Sequence, residues 1–214
     1  MKGILFDLDG TLMDTLQDLA DATNHALHHF GFPGRSLEEV RRAVGNGAAT
    51  QLRRCLPEGT DEETADRVVE FYKPWYADHC RNHTKPYEGI LQALEYLAVR
   101  YPVAIVSNKP DAAVKTLCSQ WFPGIYALGE KTDCPRKPAA DMVLRAMADI
   151  GVTDCVYVGD SEVDVLTAKN AGVDCICVLW GFRDRELLEQ AGGRYFCETP
   201  DNLAEMIEER IHGQ

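Results

Sequence analysis

The sequence predicts an α/β protein in which a helical segment interrupts a parallel sheet. Short apolar, β-branched runs recur along the 214 residues and alternate with amphipathic helical stretches. That alternation is typical of a parallel sheet covered by helices on both faces. It stops after the first run, because no convincing strand occurs between Asp14 and about Pro86. The two observations together predict a Rossmann-like parallel-sheet core that carries an inserted α-helical unit.

The predicted strands of the core are six apolar runs of unequal strength. Residues 3–9, 103–108, 156–160 and 175–180 are strong candidates, and residues 126–128 and 195–197 are weaker. Helices are predicted between them from apolar side chains that recur at 3.6-residue spacing, over residues 89–101, 138–150 and 161–171. Pro138 suits the first turn of the second helix, and Gly172 suits the end of the third.

The insert is predicted to be helical over residues 14–30, 36–56 and 61–82. Pro33-Gly34 and Pro57-Glu58-Gly59 separate these stretches, because proline and glycine favour turns. We therefore predict a catalytic core made of residues 1–14 and 85–214, and a helical insert over residues 15–84. The connections near residues 12–15 and 84–86 are expected to act as a hinge.

Charge and composition limit the classes of partner. The formal net charge of −12 disfavours binding to nucleic acid and also repels a phosphorylated metabolite. A phosphate enzyme would therefore need local positive charge from a divalent metal and one or two lysines. No apolar run is long enough for a membrane span or a signal peptide, so we expect a cytoplasmic protein. The eight cysteines are then expected to be reduced, apolar side chains rather than disulfides.

Polar side chains end three of the strong strands. Asp7 and Asp9 follow the first, Ser107 ends the second, and Asp160 ends the third. Ligands of open parallel sheets bind at the carboxyl ends of the strands, so these groups are expected to meet there. Crowded carboxylates repel one another, and a hard cation with oxygen ligands would hold them. Magnesium fits that description.

Four short segments in fixed order carry a family resemblance. They are Asp7-Leu8-Asp9-Gly10-Thr11, then Ser107, then Lys137, and then Gly159-Asp160-Ser161-Glu162-Val163-Asp164. In this order they resemble the four motifs of the haloacid dehalogenase superfamily, over essentially the whole chain. The helical insert is similar to the first type of cap domain in that superfamily.

The resemblance implies roles for the residues that handle phosphate. Asp7 would attack phosphorus to give an aspartyl-phosphate, and Asp9 would act as general acid and then as general base. Ser107, Asn108 and Lys137 would hold the transferring phosphoryl group.

The resemblance also implies a magnesium site. Its expected ligands are Asp7, the backbone carbonyl of Asp9, and Asp160. Asp164 lies one helical turn beyond Asp160. It is expected, with Ser161, to orient the ligands without touching the metal.

Part of the insert is similar to the cap loop of phosphoglycolate phosphatases. The similar segment is Val44-Gly45-Asn46-Gly47, followed by Gln51, Arg53 and Arg54. Asn46, Gly47 and Arg53 are accordingly candidate contacts to the substrate. Residues 35–54 hold five arginines and two acids, a local positive region that fits either a substrate carboxylate or a solvated helix face.

The function predicted first is a magnesium-dependent phosphatase of a small, phosphoglycolate-like metabolite. A sugar-phosphate mutase of the β-phosphoglucomutase type shares the same core residues, and a pyrophosphatase is a further alternative. A non-catalytic binding module is a remote alternative, because such a protein would be expected to have lost one of the acids or Lys137. The chain is expected to be a monomer or a homodimer, with no nucleic-acid or membrane partner.

Overall fold

A computed structural model describes residues 2–213 of the chain as a core sheet with a helical insert. The strands are β1 (Lys2–Phe6), β2 (Met13–Asp14), β3 (Lys85–Pro86), β4 (Val103–Pro110), β5 (Tyr126–Glu130), β6 (Asp154–Gly159), β7 (Asp174–Val178) and β8 (Tyr195–Cys197). The helices of the insert are α1 (Leu16–His29), α2 (Leu37–Ala43), α3 (Gly47–Cys55) and α4 (Glu62–His79). Those of the core are α5 (Ile90–Ala98), α6 (Asp111–Trp121), α7 (Asp141–Asp149), α8 (Glu162–Ala171), α9 (Arg185–Ala191) and α10 (Leu203–His212).

The core sheet has the strand order β5-β4-β1-β6-β7-β8, and all its pairings are parallel. The predicted fold class is confirmed, and each of the six predicted runs forms a strand of this sheet. Phe6 at the end of β1 aligns with Ile105 of β4 and with Val158 of β6. The chain crosses from one side of β1 to the other between β5 and β6, so the switch point of the topology lies beside β1. Loops that follow β1, β4 and β6 therefore share one edge of the sheet.

The central strand β1 is buried on both faces. Ile4 and Phe6 point to the face that also packs the insert, and Leu5 points to the opposite face against α7. A strand without a solvent face reads as a continuous apolar run. This burial is the physical reason why the N-terminal strand could be recognised from its sequence.

The insert differs in detail from the predicted helices. The stretch 36–56 is two helices, because Gly45 takes a φ of 121° between α2 and α3. Pro74 lies inside α4 and does not end it. In the core, α7 begins at Asp141 rather than at Pro138, and residues 138–140 form a turn before it.

Two short strands join the insert to the core. Met13 and Asp14 of β2 pair in antiparallel fashion with Pro86 and Lys85 of β3, at the predicted hinge positions. The buried Asp18 carboxylate then accepts hydrogen bonds from the backbone N–H groups of His83 and Thr84, at 2.9–3.1 Å. These contacts tie both connections together. The limits 1–14, 15–84 and 85–214 stay a prediction.

Two further expectations concern membranes and disulfides. Within residues 2–213, no helix is both long and apolar enough to cross a bilayer. All eight cysteines lie in the same described range, and all are free thiols.

Candidate active site

The carboxyl ends of β1, β4 and β6 bring the predicted core residues to one cavity. Asp7, Asp9, Ser107, Asn108, Lys137, Asp160 and Ser161 all line it. The opposite wall belongs mainly to the insert and is lined by Leu19, Val44, Gly45, Gly47, Ala48, Gln51, Tyr72 and Tyr76. The cavity leaves about 50 Å³ for the centres of water-sized molecules, several times the roughly 10–15 Å³ that one water needs. The insert thus covers the predicted core residues as a cap, and the space left suits a small ligand.

Lys137 is the buried cation at the centre of the core residues. Its Nζ lies 2.8 Å from Asp7 Oδ1 and 2.8 Å from Asp164 Oδ1, and donates a hydrogen bond to the Tyr157 hydroxyl at 3.0 Å. Burial alone would lower the pKa of Lys137, but the two carboxylates outweigh it and raise the pKa well above its usual value. The side chain is therefore a fixed positive charge beside Asp7.

Asp164 holds Lys137 in place, and both of its carboxylate oxygens accept hydrogen bonds. Its Oδ1 accepts hydrogen bonds from Lys137 and Tyr157, and its Oδ2 accepts from the backbone N–H and the hydroxyl of Ser161. These bonds to Ser161 also form the capping box of α8. Asp164 and Ser161 therefore act on the site through Lys137 and through the start of the helix.

Asp160 is held by the loop after β7. The backbone N–H of Phe182 donates to Asp160 Oδ2 at 2.7 Å, and the Thr11 hydroxyl donates to Oδ1 at 3.3 Å. The chain passes so close that a Cβ on Gly181 would lie 2.3 Å from Asp160 Cβ, and a Cβ on Gly10 would lie 2.3 Å from Asp160 Oδ2. Glycine is required at both places because any side chain would displace the carboxylate.

Asp7 and Asp160, with the Asp164 carboxylate close by, make a buried acidic site that fits a cation. Oxygens of Asp7, Asp160 and Asp164 all lie within 4.8 Å of one another. Burial, followed by repulsion from Asp164 and Asp7, raises the pKa of Asp160 well above its usual value. Asp7 Oδ1 is buried and accepts no hydrogen bond from the described residues, although it pairs with Lys137. A hard divalent cation would relieve this excess negative charge, and an all-oxygen donor set is the one that Mg²⁺ prefers.

The pKa of Asp7 is raised, in part by the same neighbouring carboxylates. Burial is the largest cause that raises it, Lys137 opposes the shift, and Asp164 and Asp9 add repulsion, with a net pKa of about 7. A carboxyl that binds protons so readily is one that binds cations, because both relieve the same repulsion.

Asp9 is held over the cavity by Lys109. The Lys109 ammonium lies 2.6 Å from Asp9 Oδ1 and donates a second hydrogen bond to the Tyr76 hydroxyl of α4, also at 2.6 Å. Lys109 thus bridges the core and the cap. The site residues predicted from sequence included Asp9 but not Lys109, which the sequence allows either to set local charge or to cap the strand end.

Asn108 joins three parts of the cavity wall. Its amide nitrogen donates to the backbone carbonyls of Gly45 and Lys137, and its Oδ1 accepts from the Lys137 backbone N–H. These bonds place Lys137 and tie the cap loop to β4. Its expected contact to phosphate stays a prediction, as does that of Ser107, whose hydroxyl accepts the backbone N–H of Lys109.

The three predicted cap contacts have different locations. Gly47 lines the cavity, whereas Asn46 and Arg53 are not among the described lining residues. Arg53 pairs with Glu62 and Asp66 at the exposed surface of the cap. The other arginines of this region bind acids or backbone carbonyls, with partners Cys55 and Glu39 for Arg35, Asp184 and Glu38 for Arg41, Glu38 for Arg42, and Ala43 for Arg54. The positive stretch therefore stabilises the cap and its junction with the core.

Arg183 of the core binds the cap through hydrogen bonds. It was not among the site residues predicted from sequence. Its guanidinium donates to the backbone carbonyls of Arg41 and Val44 in the cap, at 3.0 and 2.6 Å, and to Glu162 of α8 at 2.8 Å. The carbonyls at the end of α2 lack helical partners, and this buried arginine from the loop after β7 satisfies them. The signal in the sequence is weak, because a single arginine after Trp180-Gly181-Phe182 resembles any surface cation.

The arrangement matches a known family. Residues 4–178 match the model of the family described as haloacid dehalogenase-like hydrolase. The chain belongs to this family. The predicted motif segments at Asp7, Ser107, Lys137 and Asp160 all lie within the matched residues, and the structure brings them together around one buried lysine.

Individual members of the haloacid dehalogenase-like hydrolases resemble the chain over most of its length. Phosphoglycolate phosphatase 1 of Pseudomonas aeruginosa is 36% identical over 202 residues, which are 88% of this chain and 73% of that protein. A phosphoglycolate phosphatase of Chromobacterium violaceum is 32% identical over 201 residues, 88% of this chain and 89% of the relative. A crystal structure of a proposed phosphoglycolate phosphatase from Lactobacillus delbrueckii subsp. bulgaricus superposes with a TM-score of 0.90 at 36% identity. The superposition covers 96% of this chain and 98% of the chain in that crystal structure.

Proposed function

We propose that the protein is a magnesium-dependent phosphatase that hydrolyses a small phosphomonoester of the phosphoglycolate type through an aspartyl-phosphate on Asp7. The observation that carries this proposal is the meeting of Asp7, Lys137 and Asp160 at one sheet edge, under a cap that leaves a small cavity. The similarity to phosphoglycolate phosphatases supports the choice of substrate.

In the first step, an Asp7 oxygen attacks phosphorus and the bond from phosphorus to the substrate's ester oxygen breaks. Lys137, fixed between Asp7 and Asp164, offsets negative charge on the phosphoryl oxygens as they move. Asp9 gives its proton to the departing alkoxide, so that the product leaves as an alcohol. The ion pair with Lys109 holds the Asp9 carboxyl beside the place where the substrate's phosphate would bind.

In the second step, Asp9 takes a proton from a water molecule as the water oxygen attacks phosphorus. The acyl-phosphate bond to Asp7 breaks, inorganic phosphate is released, and both carboxyl groups return to their starting states. Bound Mg²⁺, held by Asp7, Asp160 and the backbone carbonyl of Asp9, would supply positive charge at the phosphate. The cap keeps bulk water away from the acyl-phosphate until the alcohol has left.

Phosphate release from a panel of substrates tests the proposal. The panel contains phosphoglycolate, other phosphomonoesters, β-glucose 1-phosphate with a bisphosphate primer, and pyrophosphate, each with Mg²⁺ and with chelator. We expect phosphoglycolate to give the largest kcat/KM. The change Asp7→Asn should lower kcat by at least about a thousandfold. Full activity in that variant would contradict the mechanism, and preferred isomerisation of the sugar phosphate or hydrolysis of pyrophosphate would contradict the substrate class.

The partner of the site is then a small phosphorylated metabolite. A cytoplasmic location follows from the same proposal, because a phosphatase of this kind meets its metabolite there and the eight cysteines are free thiols. Sedimentation of the full chain distinguishes between the two expected states, a monomer and a homodimer.

A further inference from the structure

The two ends of the cavity differ in the polar groups that they offer. The phosphate end has Asp7, Asp160 and Lys137, which already account for an aspartyl nucleophile, a cation and a phosphoryl group. The far wall, formed by the cap, is largely apolar. A substrate's second polar group must therefore meet the few polar atoms on that wall.

The Tyr72 hydroxyl is one such atom. Its side chain is 1% exposed and lines the cavity, and its oxygen has no hydrogen-bond partner among the residues described. Leaving a buried hydroxyl unpaired costs about 1–3 kcal/mol, and buried polar groups without a partner are rare. Such a cost is explained when a ligand supplies the missing partner.

Lys109 lies against the stacked pair Tyr72 and Tyr76 and has an unused donor. Tyr72 and Tyr76 are one helical turn apart on α4, their rings stack at 5.3 Å, and the Tyr76 hydroxyl accepts from Lys109. The ammonium group has three donors. Among the described contacts, Asp9 and Tyr76 take two of them.

No other cation in the described part of the cavity wall is free to bind an anion at this end. The lining cations are Lys109, Lys137 and Arg183. Lys137 is committed to Asp7 and Asp164, and Arg183 is committed to Glu162 and cap carbonyls. The cap arginines form their pairs away from the cavity lining.

We propose that Lys109 and the Tyr72 hydroxyl form the subsite that recognises a second anionic group, a carboxylate, on the far side of the substrate from its phosphate. The carboxylate would accept one hydrogen bond from Lys109 Nζ and one from the Tyr72 hydroxyl, and would so use the two donors that have no described partner. This subsite rests on the proposed phosphatase function and assigns its specificity to these two residues rather than to Asn46 and Arg53.

Kinetics with paired substrates test the subsite. Phosphoglycolate carries the carboxylate, and 2-hydroxyethyl phosphate is an analogue of nearly the same size in which a neutral hydroxymethyl group replaces it. The variants are Tyr72→Phe and Lys109→Met, with Tyr96→Phe and Lys169→Met as matched controls on the exposed surface of the core. Thermal unfolding of each variant verifies that it is folded.

We expect the ratio of kcat/KM for the two substrates to fall about tenfold in Tyr72→Phe and about a hundredfold in Lys109→Met, mainly through the KM of phosphoglycolate. The controls should keep the wild-type ratio. An unchanged ratio in both folded variants would overturn the subsite, and so would an equal loss for both substrates, since that would show a general effect on positioning.

A binding measurement separates failure of the subsite from failure of the proposed function. In the Asp7→Asn background, calorimetry compares the affinities for the two ligands with and without Tyr72→Phe or Lys109→Met, and needs no turnover. If the wild type hydrolyses no phosphomonoester while Tyr72→Phe and Lys109→Met still weaken the binding of phosphoglycolate selectively, the phosphatase proposal fails and the subsite stands. If neither change weakens it selectively, the subsite fails.

Discussion

The two walls of the cavity are built in different ways. At the phosphate end, side chains from the ends of β1, β4 and β6 lock one another, with Lys137 between two carboxylates and Asp164 saturated by four hydrogen bonds. At the cap end, the contacts to the core pass largely through backbone carbonyls, which Arg183 and Asn108 bind. The first wall holds fixed charges, which the proposed phosphoryl transfer needs. The second wall has no charged side chain among the described cap residues that line it, so the recognition proposed there could change without disturbing those fixed charges.

The largest effect is expected from breaking the phosphate end at Lys137. Lys137→Met removes the only buried cation described between Asp7 and Asp164 and leaves their carboxylates unpaired. We expect kcat/KM to fall by about a thousandfold and the free energy of unfolding to fall by about 3–5 kcal/mol at neutral pH. Phosphate release and denaturant titration measure the two losses. Lys169→Met is the control, and equal behaviour of the two variants would show that the buried cation is dispensable.

The affinity for Mg²⁺ is expected to depend on pH, because Asp7 at the phosphate end binds a proton in competition with the metal. Burial raises the pKa of Asp7 from 3.8 to about 7 in the metal-free protein. The folded chain therefore keeps a proton between these values that the unfolded chain releases, and its stability declines as pH rises through this range. Mg²⁺ must displace that proton below pH 7, together with any proton on Asp160, whose pKa is also raised, so its affinity should fall by at least about tenfold per pH unit there.

Calorimetric titration of Mg²⁺ at several pH values checks this prediction. The rise in Tm that Mg²⁺ produces should also be larger at pH 8 than at pH 6. An affinity that does not change between pH 6 and 8 would show that no site carboxyl titrates in this range.

A smaller effect is expected from loosening the cap at Arg183. Arg183→Met removes the hydrogen bonds to the carbonyls of Arg41 and Val44, so the closed cap should be less populated. A smaller competent fraction raises the apparent KM, and we expect a rise of about tenfold. Arg53→Met is the matched change on the cap surface, for which the structure predicts less than a twofold effect. The reverse order would show that Arg53 and not Arg183 serves the substrate.

The phosphate end could be predicted from sequence because its geometry follows from the strands. Each buried strand is an apolar run, and its carboxyl end is marked by a polar residue such as Asp7 or Asp160. A parallel sheet then brings those ends to one edge without any knowledge of side-chain packing. The place of Asp164 near this site could also be predicted, since it lies one helical turn beyond Asp160 in sequence.

The cap end could not be predicted so well because it depends on how helices are rotated against the core. The charge of residues 35–54 suggested a site for an anion, yet Arg53 turns to Glu62 and Asp66. Lys109 and Tyr76 meet across 33 positions of sequence, with Tyr72 stacked on Tyr76, and none of these residue types signals that meeting. Gly45 also separated two helices where periodicity predicted one continuous stretch.

The most direct test of the mechanism is to trap the phosphoryl group on the protein. Acid quenching within the first turnover of phosphoglycolate with Mg²⁺, followed by peptide mapping, locates any phosphorylated residue. We predict a phosphoryl group on the N-terminal peptide at Asp7, formed within the first turnover and absent from Asp7→Asn. Phosphate released in the first turnover with no label on that peptide, or with the label on another residue, would contradict the assignment of Asp7 as the nucleophile.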